Sequence, residues 1–211
     1  MNFRQWLIKE EKNGRAVIFC DLDETLVRTQ YLVNSRNDLA PREPEQGLAD
    51  RMAIVNQLPL GPEELTQAWE EKGAKIIKID ESPEDWMNKW FITRSRPHAQ
   101  ETLKTLQQMG EVYILTSGGT AFQRMVIEAN EFPIPPDRVL GKDRYNEANL
   151  IAQNANTVLI DDLPGGGNKP HEIDIDEIIE IKPWLGNDPH DTALTLIPSR
   201  VKEALGGFNE A

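Results

Sequence analysis

Short runs of consecutive apolar residues alternate along this chain with longer segments whose apolar residues recur every three or four positions. Three of the short runs predict strands that are buried on both faces: AVIFC (16–20), VYILT (112–116) and TVLI (157–160). The longer segments predict helices at residues 62–72, 97–109, 120–129, 146–155 and 191–207. Strands and helices that alternate in this order predict an α/β fold with a mostly parallel sheet.

Local signals predict where three of these helices begin or bend. Pro97 is expected to open the second helix, because proline is favoured in a first helical turn. Thr120 and Gln123 fit a capping box, in which each side chain bonds a free backbone amide at the start of the third helix. Pro198 is expected to bend the last helix.

Residues 29–88 follow a different pattern from the rest of the chain. Residues 28–52 are polar with scattered prolines and predict an irregular segment. KIIKI (75–79) and KWFITR (89–94) flank a turn-rich stretch and predict a hairpin-like pair of strands. We therefore expect a single domain over residues 1–211, with a small insertion or flap at about 29–88 inside it.

Aromatic and basic residues in and after this region allow two interpretations. Trp69, Trp86 and Trp90 could line a substrate cleft, but packing within the insertion is the simpler interpretation. Arg94 and Arg96 could contact a phosphorylated ligand or could pair with nearby acidic side chains. Neither pattern by itself indicates a function.

Polar side chains follow the three apolar runs at the point where each predicted strand ends. Asp21 and Asp23 follow the first run, Thr116 ends the second, and Asp161 and Asp162 follow the third. Because the carboxyl ends of parallel strands lie along one edge of a sheet, we expect these residues to converge. Four carboxylates in one crevice repel each other unless a cation lies among them, and oxygen ligands favour Mg²⁺.

A lysine completes the chemistry of this predicted site. Lys142 is the only lysine between Gln123 and Asp161. A metal ion and an ammonium group would neutralise phosphate oxygens, and a hydroxyl such as that of Thr116 would donate a hydrogen bond to one of them. The sequence therefore predicts a phosphate-binding site at the edge of the sheet.

Charge and cysteine content narrow the class of protein. The chain has 23 basic and 35 acidic residues, and its formal net charge of −12 disfavours binding to nucleic acid. Cys20 is the only cysteine, so no internal disulfide can form, which fits a reducing compartment. The sequence has no apolar run of bilayer-spanning length and no signal-peptide pattern at its start. We expect a cytoplasmic protein without a membrane partner.

Four motifs together resemble a known superfamily. DLDETLV, ILTSG, Lys142 and LIDD are similar, in order and spacing, to the four motifs of the haloacid dehalogenase phosphohydrolases. WFITRSRPHAQETLKTL and IKPWLGNDPHDTALTLIP are similar to segments of the NLI-interacting-factor-like branch, which includes the RNA polymerase II C-terminal-domain phosphatases. The resemblance covers most of residues 14–205 and is weakest at about 31–73. It implies a three-layer Rossmann-like core with a small insertion between the first two motifs.

The resemblance also implies the reaction and its catalytic groups. The reaction would be hydrolysis of a phosphomonoester through an aspartyl-phosphate, with Mg²⁺ as cofactor. Asp21 would be the nucleophile, and Asp23 would act first as general acid and then as general base. Thr116, Ser117 and Lys142 would bind the phosphoryl group. The Mg²⁺ ligands would be four aspartates: Asp21, Asp23 through its backbone carbonyl, Asp161, and Asp162 directly or through water.

The substrate is less defined than the chemistry. The insertion has little room for a full helical cap, and an open site would favour a bulky substrate such as a phosphoprotein. The branch resemblance also implies phosphoserine or phosphothreonine in a protein. However, TSG stands where that branch usually has alanine after its threonine, and DD stands where DN is frequent. The alternatives are the same chemistry on a small phosphorylated metabolite or a nucleic-acid end, or a binding protein that retains the fold without turnover. Every catalytic position holds a competent residue, which counts against the last of these.

Overall fold

A computed structural model describes residues 15–39, 61–80, 82–163 and 173–209. Its strands are β1 (Ala16–Cys20), β2 (Val27–Tyr31), β3 (Lys75–Lys78), β4 (Trp90–Ser95), β5 (Glu111–Leu115), β6 (Val139–Leu140), β7 (Asn156–Asp161) and β8 (Glu177–Glu180). Its α-helices are α1 (Arg36–Leu39), α2 (Pro62–Glu70), α3 (Trp86–Lys89), α4 (Ala99–Leu106), α5 (Thr120–Ala129), α6 (Tyr145–Gln153) and α7 (Ile197–Asn209). By backbone contacts the chain divides into two units, Thr29–Arg94 and the remainder, Met1–Arg28 with Ser95–Ala211.

The larger unit is built around a five-stranded, all-parallel sheet. The strand order is β6-β5-β1-β7-β8, so β1 lies at the centre between the other two strands that the apolar runs predict. Phe19 of β1 is in register with Tyr113 on one side and Leu159 on the other. The predicted α/β fold with a parallel sheet is therefore confirmed, and the carboxyl ends of β1, β5 and β7 share one edge.

Helices cover this sheet because its strands are apolar on both faces. On one face, alternate residues of the central strands pack against α6 in a single buried cluster: Val17, Phe19, Tyr113, Leu115, Leu140, Ala148, Ala152, Ala155, Leu159 and Ile173. Ile18, Val112 and Ile114 alternate with those residues and are fully buried as well. The helices α4 and α7 contact β5 and β7 and also each other. The result is the three-layer arrangement that the resemblance implies.

The two edge strands were not predicted from the sequence. β6 has only two residues, which is too short for any periodic signal. β8 has the sequence EIIE, and Ile179 is its only buried residue, so it lacks the apolar run that marks β1, β5 and β7. Edge strands bury less surface than central ones, and their sequences are correspondingly less distinctive.

Three predicted helix details are wrong. Helix α4 begins at Ala99 and not at Pro97, because His98 has a φ of 66°, in the left-handed region. Thr120 is the first residue of α5 and follows the N-cap Gly119, so the capping box does not form. Pro198 lies in the first turn of α7, after the 3₁₀ turn Ala193–Leu196, where its missing N–H costs no hydrogen bond.

The smaller unit has its own sheet and core. Its strand order is β2-β4-β3, and β3 pairs antiparallel with β4, so the predicted hairpin-like pair is confirmed. The segment predicted to be irregular contains most of β2 and all of α1, so that prediction is wrong where the structure describes it; residues 40–60 lie outside the described residues. The placement of an insertion at about 29–88 within a single domain stays a prediction.

The tryptophans of this unit are packing residues. They lie in one buried cluster: Leu32, Leu39, Leu65, Trp69, Ala74, Trp86, Trp90 and Ile92. Trp90 donates its indole N–H to the backbone carbonyl of Asp80 at 2.8 Å. The Arg94 guanidinium stacks on the Trp69 ring, 4.7 Å from its centroid.

Within the described part of the chain, no helix combines the length and hydrophobicity needed to cross a bilayer.

Candidate active site

Asp21 directly follows the last residue of the central strand β1. Its backbone amide still belongs to the sheet, since it donates to the carbonyl of Ile160 at 2.8 Å, and its side chain is buried. The neighbouring Cys20 is fully buried, and burial, with a smaller contribution from the charge of Asp21, raises the pKa of its thiol. The thiol therefore stays protonated, so Cys20 does not supply a nucleophile at this strand end.

Asp161 and Asp162 lie at the end of β7, beside Asp21. One carboxylate oxygen from each of the three residues lies within 4.8 Å of the others, and all three side chains are buried. Leu163 donates its backbone amide to Asp161 Oδ1 at 2.8 Å, and Thr25 donates its hydroxyl to Asp162 Oδ1 at 3.0 Å. Three buried carboxylates this close repel one another strongly unless positive charge or protons offset them.

The second oxygen of Asp162 identifies what this cluster lacks. Asp162 Oδ2 is buried and has no hydrogen-bond donor among the residues that the structure describes. A buried carboxylate oxygen without a donor is costly, and a cation bound by the cluster would satisfy it. An all-oxygen set of carboxylates suits a hard divalent ion such as Mg²⁺, so these residues fit the predicted metal.

Asp23 lies in the turn that follows β1, and its side chain is partly buried. The turn is tight: the Glu24 amide donates to the carbonyl of Val27, and Glu24 has a φ of 64°. Gln123, on α5, donates its side-chain amide to Asp23 Oδ2 at 3.1 Å. A residue 100 positions away in sequence therefore contacts the predicted general acid.

Arg96 holds this turn in its unusual conformation. Its side chain is fully buried and forms two parallel bonds to the Asp191 carboxylate, both at 3.0 Å. The same guanidinium donates to the carbonyl of Thr25 at 3.2 Å, and the Trp184 amide donates to the carbonyl of Glu24 at 2.7 Å. A left-handed Glu24 persists because these neighbours over-determine its position. Arg96 thus pairs with an acid, which was one of its two predicted uses.

Thr116 follows β5, and its backbone amide donates to the carbonyl of Leu140 at 3.1 Å. The Thr116 side chain is buried, and its hydroxyl oxygen accepts a bond from the Gly118 amide at 3.3 Å. Ser117 is exposed, as is Lys142, whose backbone amide donates to the carbonyl of Gly118 at 3.0 Å. The loop after β5 and the loop after β6 are therefore bonded to each other.

The contact between these two loops requires a glycine and an aspartate. A Cβ on Gly141 would lie 2.5 Å from the carbonyl oxygen of Gly118 and from the amide of Thr120, so no larger residue fits. Asp143 accepts bonds from the Thr120 amide at 2.9 Å and from its hydroxyl at 2.8 Å. The backbone bond from Thr120 is the main reason that the pKa of Asp143 lies below its ordinary value. Asp143 thus supplies the helix cap that was predicted for Gln123.

The structure therefore places the predicted residues along one edge of the parallel sheet. It brings the carboxylates of Asp21, Asp161 and Asp162 together, and it places Asp23, Thr116, Ser117 and Lys142 on loops that follow strands of the same sheet. Sequence analysis missed four residues that hold these groups: Thr25, Gln123, Asp143 and Asp191. Thr25 lies within the DLDETLV motif and could have been found, whereas the other three act through contacts that no local pattern encodes.

Comparisons with known proteins agree with this fold. The family model of the NLI interacting factor-like phosphatases matches residues 16–210. The solved structure of Fcp1, described as an essential RNA polymerase II CTD phosphatase, aligns with a TM-score of 0.50 at 16% identity, over 98% of this chain and 52% of that chain. This chain therefore spans about half of the Fcp1 chain and shares its fold.

A second solved structure, a haloacid dehalogenase-like hydrolase from Xanthomonas campestris, aligns with a TM-score of 0.48 at 11% identity. That alignment covers 93% of this chain and 99% of the Xanthomonas chain. No curated protein sequence matches the chain.

Proposed function

Because the chain belongs to the NLI interacting factor-like phosphatase family, we propose that it hydrolyses phosphomonoesters with Mg²⁺, through an aspartyl-phosphate on Asp21. Phosphatase activity follows from the family, and the metal, the intermediate and the substrate class are the parts that we propose. The observation that supports them is the buried group of Asp21, Asp161 and Asp162, with Asp162 Oδ2 lacking a donor among the described residues.

The carboxylates suit a division of roles between nucleophile and metal ligands. Asp161, Asp162 and one oxygen of Asp21 would hold Mg²⁺ with the backbone carbonyl of Asp23. The ion would supply positive charge that offsets the negative charge of the phosphoryl oxygens. Charge neutralisation and positioning are the main requirements of phosphoryl transfer, so this arrangement supplies what the reaction needs.

Two steps complete the reaction, and protons balance in each. In the first, an oxygen of Asp21 bonds to phosphorus while the bond to the substrate oxygen breaks, and Asp23 gives its proton to the departing alcohol. In the second, Asp23 takes a proton from a water molecule, the water oxygen bonds to phosphorus, and the Asp21 carboxylate is released. The enzyme returns to its starting state with Asp23 protonated.

The loops after β5 and β6 would bind the phosphoryl group during both steps. Thr116 and Ser117 would donate hydroxyl bonds to phosphoryl oxygens, and the Lys142 ammonium would pair with one of them. The bonds between these loops support this assignment, because they fix the backbone of Lys142 beside Gly118. A group that is positioned before the substrate arrives loses little entropy when it binds.

For the substrate, we propose phosphoserine or phosphothreonine in a protein. The family resemblance supports this class, and Fcp1, which shares the fold, is described as a phosphatase of the RNA polymerase II CTD. Since the chain spans about half of Fcp1, the particular target of that protein is not carried over. A small phosphorylated metabolite is the competing substrate that the experiment has to exclude.

Hydrolysis of p-nitrophenyl phosphate tests the chemistry. Wild type should be active with Mg²⁺ and inactive with excess chelator, and Asp21→Asn should abolish turnover because an amide cannot replace the nucleophile. Asp137→Asn is the matched control, since it makes the same substitution at an exposed position and should leave the rate unchanged. Activity that survives Asp21→Asn would contradict the nucleophile assignment.

The substrate class needs a second measurement. Phosphoserine and phosphothreonine peptides and a panel of small phosphorylated metabolites would be compared by kcat/KM. Higher values for the peptides support a phosphoprotein substrate. Higher values for one metabolite would replace that proposal and leave the chemistry intact.

A further inference from the structure

Gln123 is a buried polar residue that the reaction described above does not use. It lies one turn into α5, and only 3% of its surface is exposed. Its side-chain amide donates to Asp23 Oδ2 at 3.1 Å. Burying an amide is costly unless it makes hydrogen bonds, so its placement against a carboxylate of the active site calls for a reason.

The other end of the same amide strengthens that argument. Gln123 Oε1 is buried and has no hydrogen-bond donor within the described part of the chain. If filling the core were the only requirement at this position, an apolar side chain of the same length would pack there at lower cost, because it has no oxygen to leave unsatisfied. The contact with Asp23 is therefore the feature that distinguishes glutamine from methionine at this position.

The loop after β5 also leaves room for this side chain. A Cβ on Gly118 would lie 2.1 Å from Gln123 Nε2 and 3.0 Å from its Cδ, so any other residue at 118 would force Gln123 to move. Gly118 belongs to the loop that carries Thr116 and Ser117. The phosphate-binding loop and Gln123 therefore fit together only with glycine at 118.

We propose that Gln123 is a positioning residue that holds the Asp23 carboxyl group in the orientation needed for proton transfer to the leaving group. This inference rests on the proposed function, in which Asp23 is the general acid. Loss of Gln123 would remove one contact that orients the Asp23 carboxyl group, and a displacement of about 1 Å in a catalytic group can cost about 100-fold in rate. The amide suits this task because it can donate through Nε2 or accept through Oε1.

A positioning role for the general acid predicts a dependence on the leaving group. An aliphatic alkoxide is a poor leaving group and needs a proton as the bond to phosphorus breaks, whereas p-nitrophenolate leaves readily without one. Loss of Gln123 should therefore slow the hydrolysis of an alkyl phosphate much more than that of p-nitrophenyl phosphate. A change that merely loosened the fold would slow both equally.

The test compares p-nitrobenzyl phosphate with p-nitrophenyl phosphate, which are similar in size and differ mainly in their leaving groups. The quantity measured is kcat/KM, because it reports the steps up to release of the alcohol. For Gln123→Met we expect a loss of about 10-fold or more on the benzyl ester, a part of the roughly 100- to 10,000-fold that general-acid catalysis supplies, and a much smaller loss on the phenyl ester. Gln100→Met is the matched control. Gln100 lies on α4, where its side-chain amide donates to the carbonyl of Asn130 at 3.0 Å, so its loss should leave the ratio of the two kcat/KM values unchanged.

Gly118→Ala tests the same contact from the opposite side. Its methyl group would displace Gln123, so it should reproduce the leaving-group dependence, and the effects of Gly118→Ala and Gln123→Ala should be non-additive in the double variant. It also provides an answer if Gln123→Met fails to fold. The proposal would be overturned if Gln123→Met and Gly118→Ala each slowed the two esters equally, or if neither variant slowed either ester.

Asp23→Asn separates failure of this inference from failure of the proposed function. If Asp23 is the general acid, Asp23→Asn should show the same leaving-group dependence more strongly than Gln123→Met. If Asp23→Asn shows the dependence and Gln123→Met does not, only the role of Gln123 is wrong. If Asp23→Asn shows no such dependence, the general-acid assignment itself fails, and the role of Gln123 fails with it.

Discussion

Two groups of acidic residues in this molecule have opposite environments. At the ends of β1 and β7, Asp21, Asp161 and Asp162 are buried within 4.8 Å of each other. In the smaller unit, Asp80 and Asp85 are exposed, and the Lys89 ammonium lies 2.9 Å from a carboxylate oxygen of the first and 3.3 Å from one of the second.

The exposed group is satisfied by its own side chains and backbone. The pKa of Asp80 is lowered mainly by the Ser82 amide and then by Lys89, and the pKa of Asp85 is lowered mainly by the Asn88 side chain. In the buried group, by contrast, Asp162 Oδ2 has no donor among the described residues. Acids that the protein itself satisfies indicate local structure, whereas buried acids that it leaves unsatisfied indicate a ligand.

The largest effect should come from a change in the buried group. Asp161→Asn should lower kcat/KM by about 100-fold or more and weaken the dependence on Mg²⁺, because even residues outside the metal's direct ligands cost about 10–100-fold at such sites. Titration of activity with Mg²⁺ measures both quantities. Asp85→Asn, the same substitution in the exposed group, should change neither. Wild-type Mg²⁺ dependence in Asp161→Asn would contradict the inference that the buried acidic group binds the metal.

Asp191 is an intermediate case, since it is largely buried but paired with Arg96. Asp191→Asn should lower the free energy of unfolding by about 3 kcal/mol, because it leaves the fully buried Arg96 without its counter-ion. Urea denaturation at neutral pH measures this loss. Asp188→Asn, three residues earlier and exposed, should stay close to wild type. A wild-type midpoint for Asp191→Asn would show that the pair does not stabilise the turn after β1.

The same pair should make stability depend on pH. Burial alone would raise the pKa of Asp191, but bonds from Arg96 and from the Ala193 amide, with the charge of Arg96, outweigh it and hold that pKa below its ordinary value. The contribution of ionised Asp191 to the free energy of unfolding is therefore fully present above its unfolded-state pKa of about 3.9. That contribution is lost as the pH falls from there through the folded-state pKa. Asp191→Asn should be less sensitive to acid over that interval in denaturation curves.

The smallest effect should come from the exposed group. Lys89→Met removes the cation between Asp80 and Asp85, but water and salt screen exposed charges, so the thermal midpoint should hardly move. Activity on p-nitrophenyl phosphate should also be unchanged. Thermal melts at low and high salt would measure the effect. A large decrease in the midpoint would mean that this exposed group stabilises the smaller unit.

The fold and most residues of the candidate site could be predicted from local sequence. The apolar runs at β1, β5 and β7 are buried on both faces, so burial required consecutive apolar residues and made them recognisable. Asp21, Thr116, Asp161 and Asp162 stand immediately beside those runs, so the parallel topology alone was enough to predict their convergence. The strands β6 and β8 bury too little to leave such a pattern, and they were missed.

The sequence by itself determined the α/β class, the three central strands with the acids and the threonine at their ends, and the candidate lysine, because each is encoded by neighbouring residues. Only the tertiary structure decided which side chains hold those groups in place. Gln123 contacts Asp23, Asp143 caps the helix that begins at Thr120, and Asp191 pairs with Arg96 across 95 residues. Each of these bonds joins residues that are distant in the chain, and hydrogen-bond partners are chosen by proximity in the folded state, which no local pattern records.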